Sequence, residues 1–363
     1  GGDIVVLDIK ALQSLPVEEF DFASNPAIAS IEYFQPADSL VFPFGLPVIG
    51  DSWVALNHDY AIIFDTKSGH VLSLLEKCGQ GPEEFVQMAG LAIDSQAETC
   101  NVLTSESPSK IKTYAYNGDY LGDIQISGKI HPASQSFMLH NDSCYFVEQS
   151  SARRVLSGKT DDPFDLKPYL LIDRKSGEVK QLPIERLDPK ICRRYVPKTP
   201  DVFAPNMIVN IRGIHGGENN IIISEFSHDT IFSVTDCVVE PIAVKKNWSK
   251  DYDEPDLVSV LYAGSRYMIF ELLRKETDHS AETVSVNDSK SGTYIYDREK
   301  KEFHRYNDPG WFESNGHLYV LKPVYKLMDE VDNGEINDPK LLDLIGKSNL
   351  ESNFVWVIYH IAE

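Results

Sequence analysis

Short apolar runs alternate with polar pairs along nearly the whole chain. The runs are rich in Val, Ile, Tyr and Phe, and pairs drawn from Gly, Asp, Asn and Ser separate them. Alternation on this scale, with turn residues at regular intervals, is typical of antiparallel β-strands, and long stretches of helical periodicity are scarce. The pattern therefore predicts an all-β protein.

The turns fall into two series. In the first series an apolar strand enters a polar turn and a second strand leaves it. The turn residues are of types that accept positive φ or hydrogen-bond to their own backbone. Six hairpins of this form cover residues 47–56, 91–103, 137–147, 211–224, 260–272 and 311–321, and the fourth has its turn at Gly216-Gly217.

The second series falls between the first and has five members. They cover residues 61–74, 112–126, 169–182, 230–243 and 293–306. A sixth is missing from the interior, but the strand-like run 354–361 has no partner after it. An N-terminal strand, 4–9 or 31–34, has no partner before it. Pairing the two ends supplies the sixth hairpin.

Together the two series predict six antiparallel meanders of four strands, A to D, in a ring closed by strands from both termini. This is a six-bladed β-propeller, in which radial repetition limits exposed strand edges. We predict a single domain, 1–363, with insertions at 153–167, 183–205 and 323–353. The approximate blades are 46–75, 89–126, 137–182, 207–243, 258–306 and 311–361.

The net charge of the chain excludes some classes of binding partner. The chain has 34 basic and 55 acidic residues, a net charge of −21. So acidic a surface repels a phosphate backbone, and it disfavours binding to anionic lipid surfaces. We therefore expect no nucleic-acid partner.

Two further features concern the compartment of the protein. No apolar run approaches the roughly 18 residues needed to cross a bilayer, so we expect no membrane span. The chain opens at Gly1-Gly2 without a Met, as though a leader had been removed, and a lipid anchor in that leader is compatible with the sequence.

The five cysteines are scattered, and no CxxC pair signals zinc or redox chemistry. Most lie in or beside apolar runs, so we expect free, mostly buried thiols, without metal or cofactor. The odd count also argues against a complete disulfide framework.

One segment carries a family resemblance. It comprises Phe64-Asp65, the turn Lys67-Ser68-Gly69, and then Gly79-Gln80-Gly81-Pro82-Glu83-Glu84-Phe85. With the early strand 31–34 (I-E-Y-F) and the closing run 353–359, it resembles the 6-bladed β-propeller family of Bacteroides-type bacteria, an NHL- or TolB-like propeller. Phe354 stands where that family usually has Pro. The resemblance implies a secreted or lipid-anchored protein, often encoded near glycan-uptake or signalling systems, with no agreed activity.

The same segment fails as a phosphate-binding loop. Pro82 removes a backbone donor, and no Lys-Ser/Thr follows the glycines. We predict a structural connection in which Gly79, Gly81, Pro82 and Glu84 form a tight turn and Phe85 packs between blades.

No other motif predicts catalysis. The histidines show no HExxH spacing, there is no Gly-x-Ser-x-Gly elbow, and a sialidase-type Asp box is absent. The acidic run 329–338 has the composition of a calcium loop but the wrong spacing, which favours a solvated loop. With 55 acidic residues a carboxylate pair of glycosidase type remains open.

The insertions point to one working surface. In a meander the B-C and D-A connections lie on one face, and 153–167, 183–205, 323–353, 247–256 and 276–291 all belong to these two classes. Long loops gathered on one side of a rigid scaffold are where binding usually resides. Surface decoration without function is the alternative.

Candidate ligand-binding residues lie in or near these insertions. The basic pairs Arg153-Arg154 and Arg193-Arg194 suit a carboxylate or sulfate, and ion pairing with the many nearby acidic residues is the more ordinary explanation. Aromatic rings stack on sugars or simply pack in the core; the candidates are Tyr195, Trp248, Tyr252 and Trp311. Residues 339–350 have the apolar spacing of a short helix.

These observations lead to a function at the level of class. We expect a monomeric, non-catalytic binding or scaffolding propeller of the bacterial envelope, periplasmic or anchored at the outer membrane, which recognises a glycan or an envelope protein. The alternatives are a glycan-directed hydrolase or lyase with its site at the channel mouth, and a structural subunit of an envelope complex. Fold alone does not decide among them.

Overall fold

The structure is a computed structural model. It describes residues 3–21, 24–36, 47–50, 53–57, 60–106, 108–128, 130, 136–149, 167–187, 213–217, 220–251, 255–274, 276–278, 285–287, 291–307, 309–334, 338–347 and 354–363. Contacts divide the chain into two compact units. Unit 1 comprises Gly1–Ala27, Ile130–Pro309 and Glu363, and unit 2 comprises Ile28–Lys129 and Gly310–Ala362.

The N-terminal segment contributes to both units. It forms strand β1 (Val5–Asp8), helix α1 (Ile9–Gln13), strand β2 (Val17–Glu18) and strand β3 (Ile28–Phe34). Asp8 caps α1, since its carboxylate accepts from Ala11 N over 3.2 Å.

Blades one and two belong to unit 2, and each is a four-stranded antiparallel meander. Blade one consists of β4 (Val48–Ile49), β5 (Trp53–Asn57), β6 (Ala61–Asp65) and β7 (Val71–Leu75). Blade two consists of β8 (Met88–Asp94), β9 (Thr99–Thr104), β10 (Lys110–Ala115) and β11 (Tyr120–Gln125).

Blades three, four and five belong to unit 1. Blade three consists of β12 (Met138–Leu139), β13 (Cys144–Glu148), β14 (Tyr169–Asp173) and β15 (Val179–Gln181). Blade four consists of β16 (Ile214–Gly217), β17 (Asn220–Ile223), β18 (Thr230–Thr235) and β19 (Val238–Lys246). Blade five consists of β20 (Asp256–Ala263), β21 (Tyr267–Arg274), β24 (Gly292–Asp297) and β25 (Glu302–Tyr306). A separate two-stranded ribbon, β22 (Glu276–Asp278) and β23 (Ser285–Asn287), is inserted in the chain between the second and third strands of this blade.

Blade six, in unit 2, is assembled from both ends of the chain. Its strands are β26 (Phe312–Ser314), β27 (His317–Pro323), β28 (Phe354–Ile361) and the N-terminal β3, in that order. Ile358 pairs with Glu32 in the closing antiparallel ladder. Six four-stranded blades confirm the predicted six-bladed β-propeller and its closure by strands from both termini.

The structure also decides between the two N-terminal strands. Residues 31–34 lie in the closing strand β3, whereas β1 adds to blade four as a fifth strand, parallel to β19. Strand β2 adds in the same way to β25 of blade five. Leu7 and Ile9 are fully buried while Val6 stays 46% exposed, so alternate residues of this segment cover the outer edge of blade four.

Apolar clusters between neighbouring blades hold each unit together. In unit 2, Phe34, Phe64 and Trp356 join blades one and six, with ring centroids 5.8 and 5.5 Å from Phe34. In unit 1, Ile222, Val260 and Phe270 lie in one cluster that joins blades four and five. Every residue of the B strand β13 is buried, which is why Cys144–Val147 is a continuous apolar run.

Two local predictions change in the structure. Gly216 and Gly217 are residues of strand β16 and not turn residues, since Gly217 pairs with Asn220 of β17. The acidic run 329–338 begins in a helix and not in a loop. Asp329–Asp332 end helix α2 (Val324–Asp332), which precedes helix α3 (Pro339–Lys347).

Both helices lie in the B-C connection of blade six, between β27 and β28. Proline at the first position of α3 is favourable, and Asp338 accepts from Lys340 N over 2.9 Å. The predicted helix within 339–350 is therefore confirmed. Val324, Leu327, Leu341 and Ile345 are buried and hold the two helices down.

Candidate functional site

Most of the predicted ligand-binding residues lie outside the described residues. These are Arg153, Arg154, Arg193, Arg194, Tyr195 and Tyr252. Trp248 and Trp311 are described and are placed below. Within the described residues, no helix has the length and hydropathy required to cross a bilayer.

Trp248 follows strand β19 in the D-A connection from blade four to blade five. The ammonium groups of Lys245 and Lys250 lie 3.9 and 4.7 Å from the centroid of its ring, as cation–π contacts. The indole also packs against the cluster between blades four and five. Its aromatic surface is thus engaged within unit 1.

Trp311 precedes the first strand of blade six and is only 5% exposed. Its ring packs against Tyr359 with centroids 6.0 Å apart. This placement matches the packing alternative for the aromatic candidates.

A buried ionic network crosses between blades three and four. Arg186, in the connection after β15, donates from Nε to Glu225 Oε2 over 3.1 Å and from Nη2 to Glu148 Oε1 over 3.3 Å. Tyr169 donates to Glu225 Oε2 over 2.5 Å. All four residues are at most 6% exposed. Burial, followed by the charge of Glu225, raises the pKa of Tyr169 well above its usual value, so its hydroxyl keeps the proton it donates.

Lys245 extends this network. Its ammonium group donates to the carbonyls of Glu225 and Phe226 over 3.4 and 3.3 Å. Burial lowers the pKa of this amine to about 7, against an opposing effect from Glu225. Sequence reasoning did not find this cluster, since Glu148, Arg186 and Glu225 are far apart in the chain and follow no motif.

A serine and a histidine meet between blades four and five. His215 Nε2 and Ser259 Oγ are 2.7 Å apart. In an enzyme this pair suggests a nucleophile and its base. Here His215 is 2% exposed and Ser259 is fully buried, so a macromolecular substrate has no access to the hydroxyl.

Two cysteines and a histidine form a further cluster in unit 1. Ligand atoms of His140, Cys144 and Cys237 all lie within 4.8 Å of one another, and the two sulfurs are 3.2 Å apart. Two thiolates on one tetrahedral zinc ion, with Zn–S bonds of about 2.3 Å, are separated by roughly 3.8 Å. The sulfurs are therefore closer than a zinc site holds them. Burial lowers the pKa of His140, which stays neutral.

Four of the five cysteines are described, each as a free thiol, and they are not uniformly buried. Cys100 and Cys144 are buried, Cys237 is half-buried and Cys78 is exposed. Cys192 lies outside the described residues.

The glycine-rich segment that carries the family resemblance is closed by its own hydrogen bonds. Gly79 donates to Phe85 O over 3.0 Å, and Gly81 donates to the carboxylate of Glu84 over 2.7 Å. Phe85 is fully buried and packs against Tyr114, whose hydroxyl donates to Glu83 O over 2.9 Å. Lys112 donates to Pro82 O over 2.7 Å. This geometry fits a structural connection.

Exposed apolar side chains gather at the B-C end of blade six. Leu321 pairs with Trp356 and Pro323 with Phe354, so Leu321 and Phe354 are diagonal neighbours on one face of the sheet. Tyr325 stands in the first turn of α2, directly after this sheet. Leu321, Tyr325 and Phe354 are 37%, 57% and 36% exposed, and we name them the blade-six apolar group.

Comparisons with known proteins agree with the architecture. A family model described as a 6-bladed beta-propeller, DUF5128, matches residues 55–159. A structure described as an exported protein of Bacteroides fragilis aligns with a TM-score of 0.61 at 14% identity, covering 99% of this chain and 100% of that one. A member of the DUF4221 family from Bacteroides vulgatus aligns with a TM-score of 0.49 at 12% identity, covering 93% and 98%.

None of the curated proteins matches the chain. The matched family segment contains the glycine-rich segment, while the NHL- or TolB-like subtype stays a prediction. The chain is thus similar to the six-bladed propellers of the DUF5128 family over residues 55–159, and its fold is that of a six-bladed β-propeller.

Proposed function

We propose that this protein is an exported, non-catalytic binding propeller that docks a partner protein of the bacterial envelope. Docking takes place at the blade ends that carry the B-C and D-A connections. The observation that carries the proposal is the blade-six apolar group, Leu321, Tyr325 and Phe354, at the B-C end of a four-stranded sheet beside a two-helix insertion. Exposed aromatic and aliphatic side chains on a fixed scaffold are typical of protein-binding surfaces.

A glycan is the second candidate. Sugar-binding sites present open aromatic faces and planar polar groups. Trp248 is engaged by two lysines and Trp311 is buried, which reduces the support for a glycan among the described residues. The basic pairs at 153–154 and 193–194 keep this candidate open, because a guanidinium suits a sulfate or a carboxylate.

The alternative of a hydrolase or lyase has less support. Glu148 and Glu225 each accept from Arg186 and are at most 6% exposed, so neither is available as an acid or a nucleophile for a polysaccharide. Ser259 is fully buried against His215. These contacts favour binding over catalysis.

Export is part of the proposal. A structure with the same fold is described as an exported protein of Bacteroides fragilis. The acidic surface, at a net charge of −21, suits a partner with basic residues around an apolar centre.

The test is capture of envelope proteins from the source cell by three purified chains: wild type, Tyr325→Asp and Val238→Asp. Val238 is 56% exposed and follows the C-D turn of blade four, so Val238→Asp is a matched control that adds the same charge at the opposite strand ends. We expect one species that wild type and V238D retain and that Y325D retains at least tenfold less. Equal retention by all three, or no retained species, contradicts the proposal.

Two companion assays separate the alternatives. A polysaccharide that raises the unfolding midpoint of wild type by several degrees favours the glycan, since a ligand at 100 times its Kd adds about 2.7 kcal/mol. New reducing ends or unsaturated products in the same mixtures contradict a non-catalytic role.

A further inference from the structure

Two hairpin turns on neighbouring blades bring a pair of thiols into contact. Cys144 is the first residue of β13, directly after the A-B turn of blade three, and Cys237 lies in the C-D turn of blade four. Their sulfurs are 3.2 Å apart although 93 positions separate them in the chain. The contact joins the two blades at the strand ends opposite those that carry the B-C and D-A connections.

The backbone at Cys237 is unusual. Thr235 pairs with Val238, so Asp236 and Cys237 form a two-residue hairpin turn, with φ of 47° and 64°. Such a turn requires positive φ at both positions and normally has glycine at the second. A cysteine there strains the backbone, and persistent strain of this kind points to a role for the side chain.

The surrounding contacts hold both turns in register. Asn141 accepts from Cys144 N over 3.0 Å and lies 3.4 Å from its sulfur, while its amide nitrogen lies 3.8 Å from the sulfur of Cys237. Cys237 N donates to His140 Nε2 over 3.3 Å. Neither thiol therefore needs a backbone rearrangement to reach the other.

We propose that Cys144 and Cys237 form a disulfide that cross-links blades three and four in the exported protein. A disulfide bond of about 2.05 Å requires the sulfurs to approach by roughly 1.2 Å, which rotation about the two Cα–Cβ bonds supplies. The inference rests on the proposed export, because disulfides persist in oxidising compartments.

The chemistry is thiol–disulfide exchange with an external disulfide, such as oxidised glutathione or an envelope oxidoreductase. The half-buried Cys237 loses its proton and attacks one sulfur of the external disulfide, which releases one thiol and leaves a mixed disulfide. Cys144, only 5% exposed, then loses its proton and attacks the sulfur of Cys237. The second external thiol leaves, so two protein thiols are oxidised and one external disulfide is reduced to two thiols.

The order of these steps follows from accessibility and acidity. An external disulfide reaches Cys237 and not the buried Cys144. Burial, followed by the hydrogen bond with Cys237, raises the pKa of Cys144 to about 12. The second step therefore accelerates as the pH rises towards that value, because only the thiolate attacks.

The test uses the purified full chain, oxidised with glutathione disulfide, then denatured, alkylated and digested without reduction. Mass spectrometry is expected to find a peptide pair joined through Cys144 and Cys237, with the exposed Cys78 recovered alkylated or joined only to glutathione. The oxidised chain should unfold several degrees above the reduced chain, since the bond closes a long loop. Recovery of both cysteines in alkylated form overturns the proposal, as does a stoichiometric zinc ion that depends on them.

Two variants keep the result interpretable. Cys237→Gly removes the thiol and relieves the positive φ, so the reduced variant should unfold at a temperature no lower than reduced wild type, and oxidation should leave that temperature unchanged. Cys78→Ser should retain the wild-type difference between oxidised and reduced forms. A C237G chain that still gains stability on oxidation contradicts the assignment.

The outcome is separable from the proposed docking function. Oxidation of the purified chain requires no partner, and reduced C237G enters the envelope-capture assay with the blade-six apolar group unchanged. A pair that links in the purified chain but is fully reduced in protein taken from the source cell supports the geometry and contradicts export.

Discussion

The hydroxyl of Tyr33 donates to the carboxylate of Asp338 over 2.9 Å, across 305 positions of the chain. Tyr33 lies in β3, the strand that closes blade six, and Asp338 caps helix α3 through Lys340 N. Burial, followed by the hydrogen bond to Asp338, raises the pKa of Tyr33 well above its usual value, so the donor keeps its proton. The contact ties the helical insertion to the strand that completes the ring.

Removing this hydroxyl should loosen the insertion without changing the fold. Tyr33→Phe deletes a hydrogen bond to a charged group, and we expect the free energy of unfolding to fall by about 1 to 2 kcal/mol. Chemical denaturation measures the change, and Tyr325→Phe, at a 57% exposed position, is the matched control with no expected effect. A Y33F chain as stable as wild type would mean that the bond contributes nothing in solution.

Arg186 should be far more sensitive than a surface arginine. Arg186→Met leaves Glu148 and Glu225 buried without their cation, and breaking such a buried network costs about 3 to 5 kcal/mol. Urea unfolding of wild type and R186M at pH 7 measures the loss, and an R186M chain as stable as wild type would contradict the expectation.

A neutral replacement of the whole network provides its control. With Glu148→Gln and Glu225→Gln added to Arg186→Met, no buried carboxylate is left without its cation, and most of the stability should return. A triple variant as unstable as R186M would show that packing, and not charge, sets the cost.

Lys245 should give stability a distinctive dependence on pH. Burial lowers its pKa from 10.5 to about 7 in the folded protein. Below about pH 7 Lys245 is protonated in both the folded and the unfolded protein, so the folded protein bears the full cost of burying the cation. Between about pH 7 and 10 unfolding takes up a proton, so this group makes the protein more stable as the pH rises.

The comparison with Lys245→Met isolates this contribution. Across that pH window, the free energy of unfolding of wild type should rise relative to that of K245M by up to about 1.4 kcal/mol for each pH unit. Lys250→Met, which removes the more exposed ammonium group over Trp248, is the control. A difference between wild type and K245M that stays constant with pH would refute the titration of Lys245.

Glycines in two contexts should respond oppositely to alanine. A Cβ at Gly79 would overlap Glu84 Oε2, so Gly79→Ala displaces that side chain and breaks its bond to Gly81 N, at a cost of about 1 kcal/mol. A Cβ at Gly346, in α3, meets nothing within 4 Å, and Gly346→Ala should stabilise by about 0.5 to 1 kcal/mol. Thermal unfolding of both variants measures the two changes. A shift of the unfolding temperature in the same direction for G79A and G346A would contradict the glycine-turn interpretation.

Much of the architecture was predictable from local signals. Turns were correctly predicted from the residue types at Asn117-Gly118 and Lys67-Ser68-Gly69, and the apolar runs on either side of each turn pair as expected. The unmatched strands at the two ends predicted the closure of blade six. The roles of β1 and β2 were not predictable, because a fifth strand added to the outside of a blade follows no turn and leaves no periodic signal.

The candidate sites were less predictable than the fold. Within the described residues, the ionic network of Glu148, Arg186 and Glu225 and the apolar group of Leu321, Tyr325 and Phe354 follow no motif. Cys237 did leave a signal, since it stands after Asp236 where an Asp-Gly turn would have glycine. Its partner was beyond the reach of the sequence, since only the packing of blade three against blade four brings Cys144 near.

Sequence alone therefore determined the strands, the turns, the number of blades and the charge of the surface, because these depend on neighbours along the chain. Tertiary structure alone decided which N-terminal strand closes blade six, which buried charges pair, and which thiols meet. Those relationships depend on distances between residues that are tens to hundreds of positions apart, as with Tyr33 and Asp338. Such distances are set by strand pairing and by packing between segments far apart in the chain, which no local pattern of apolar and polar residues encodes.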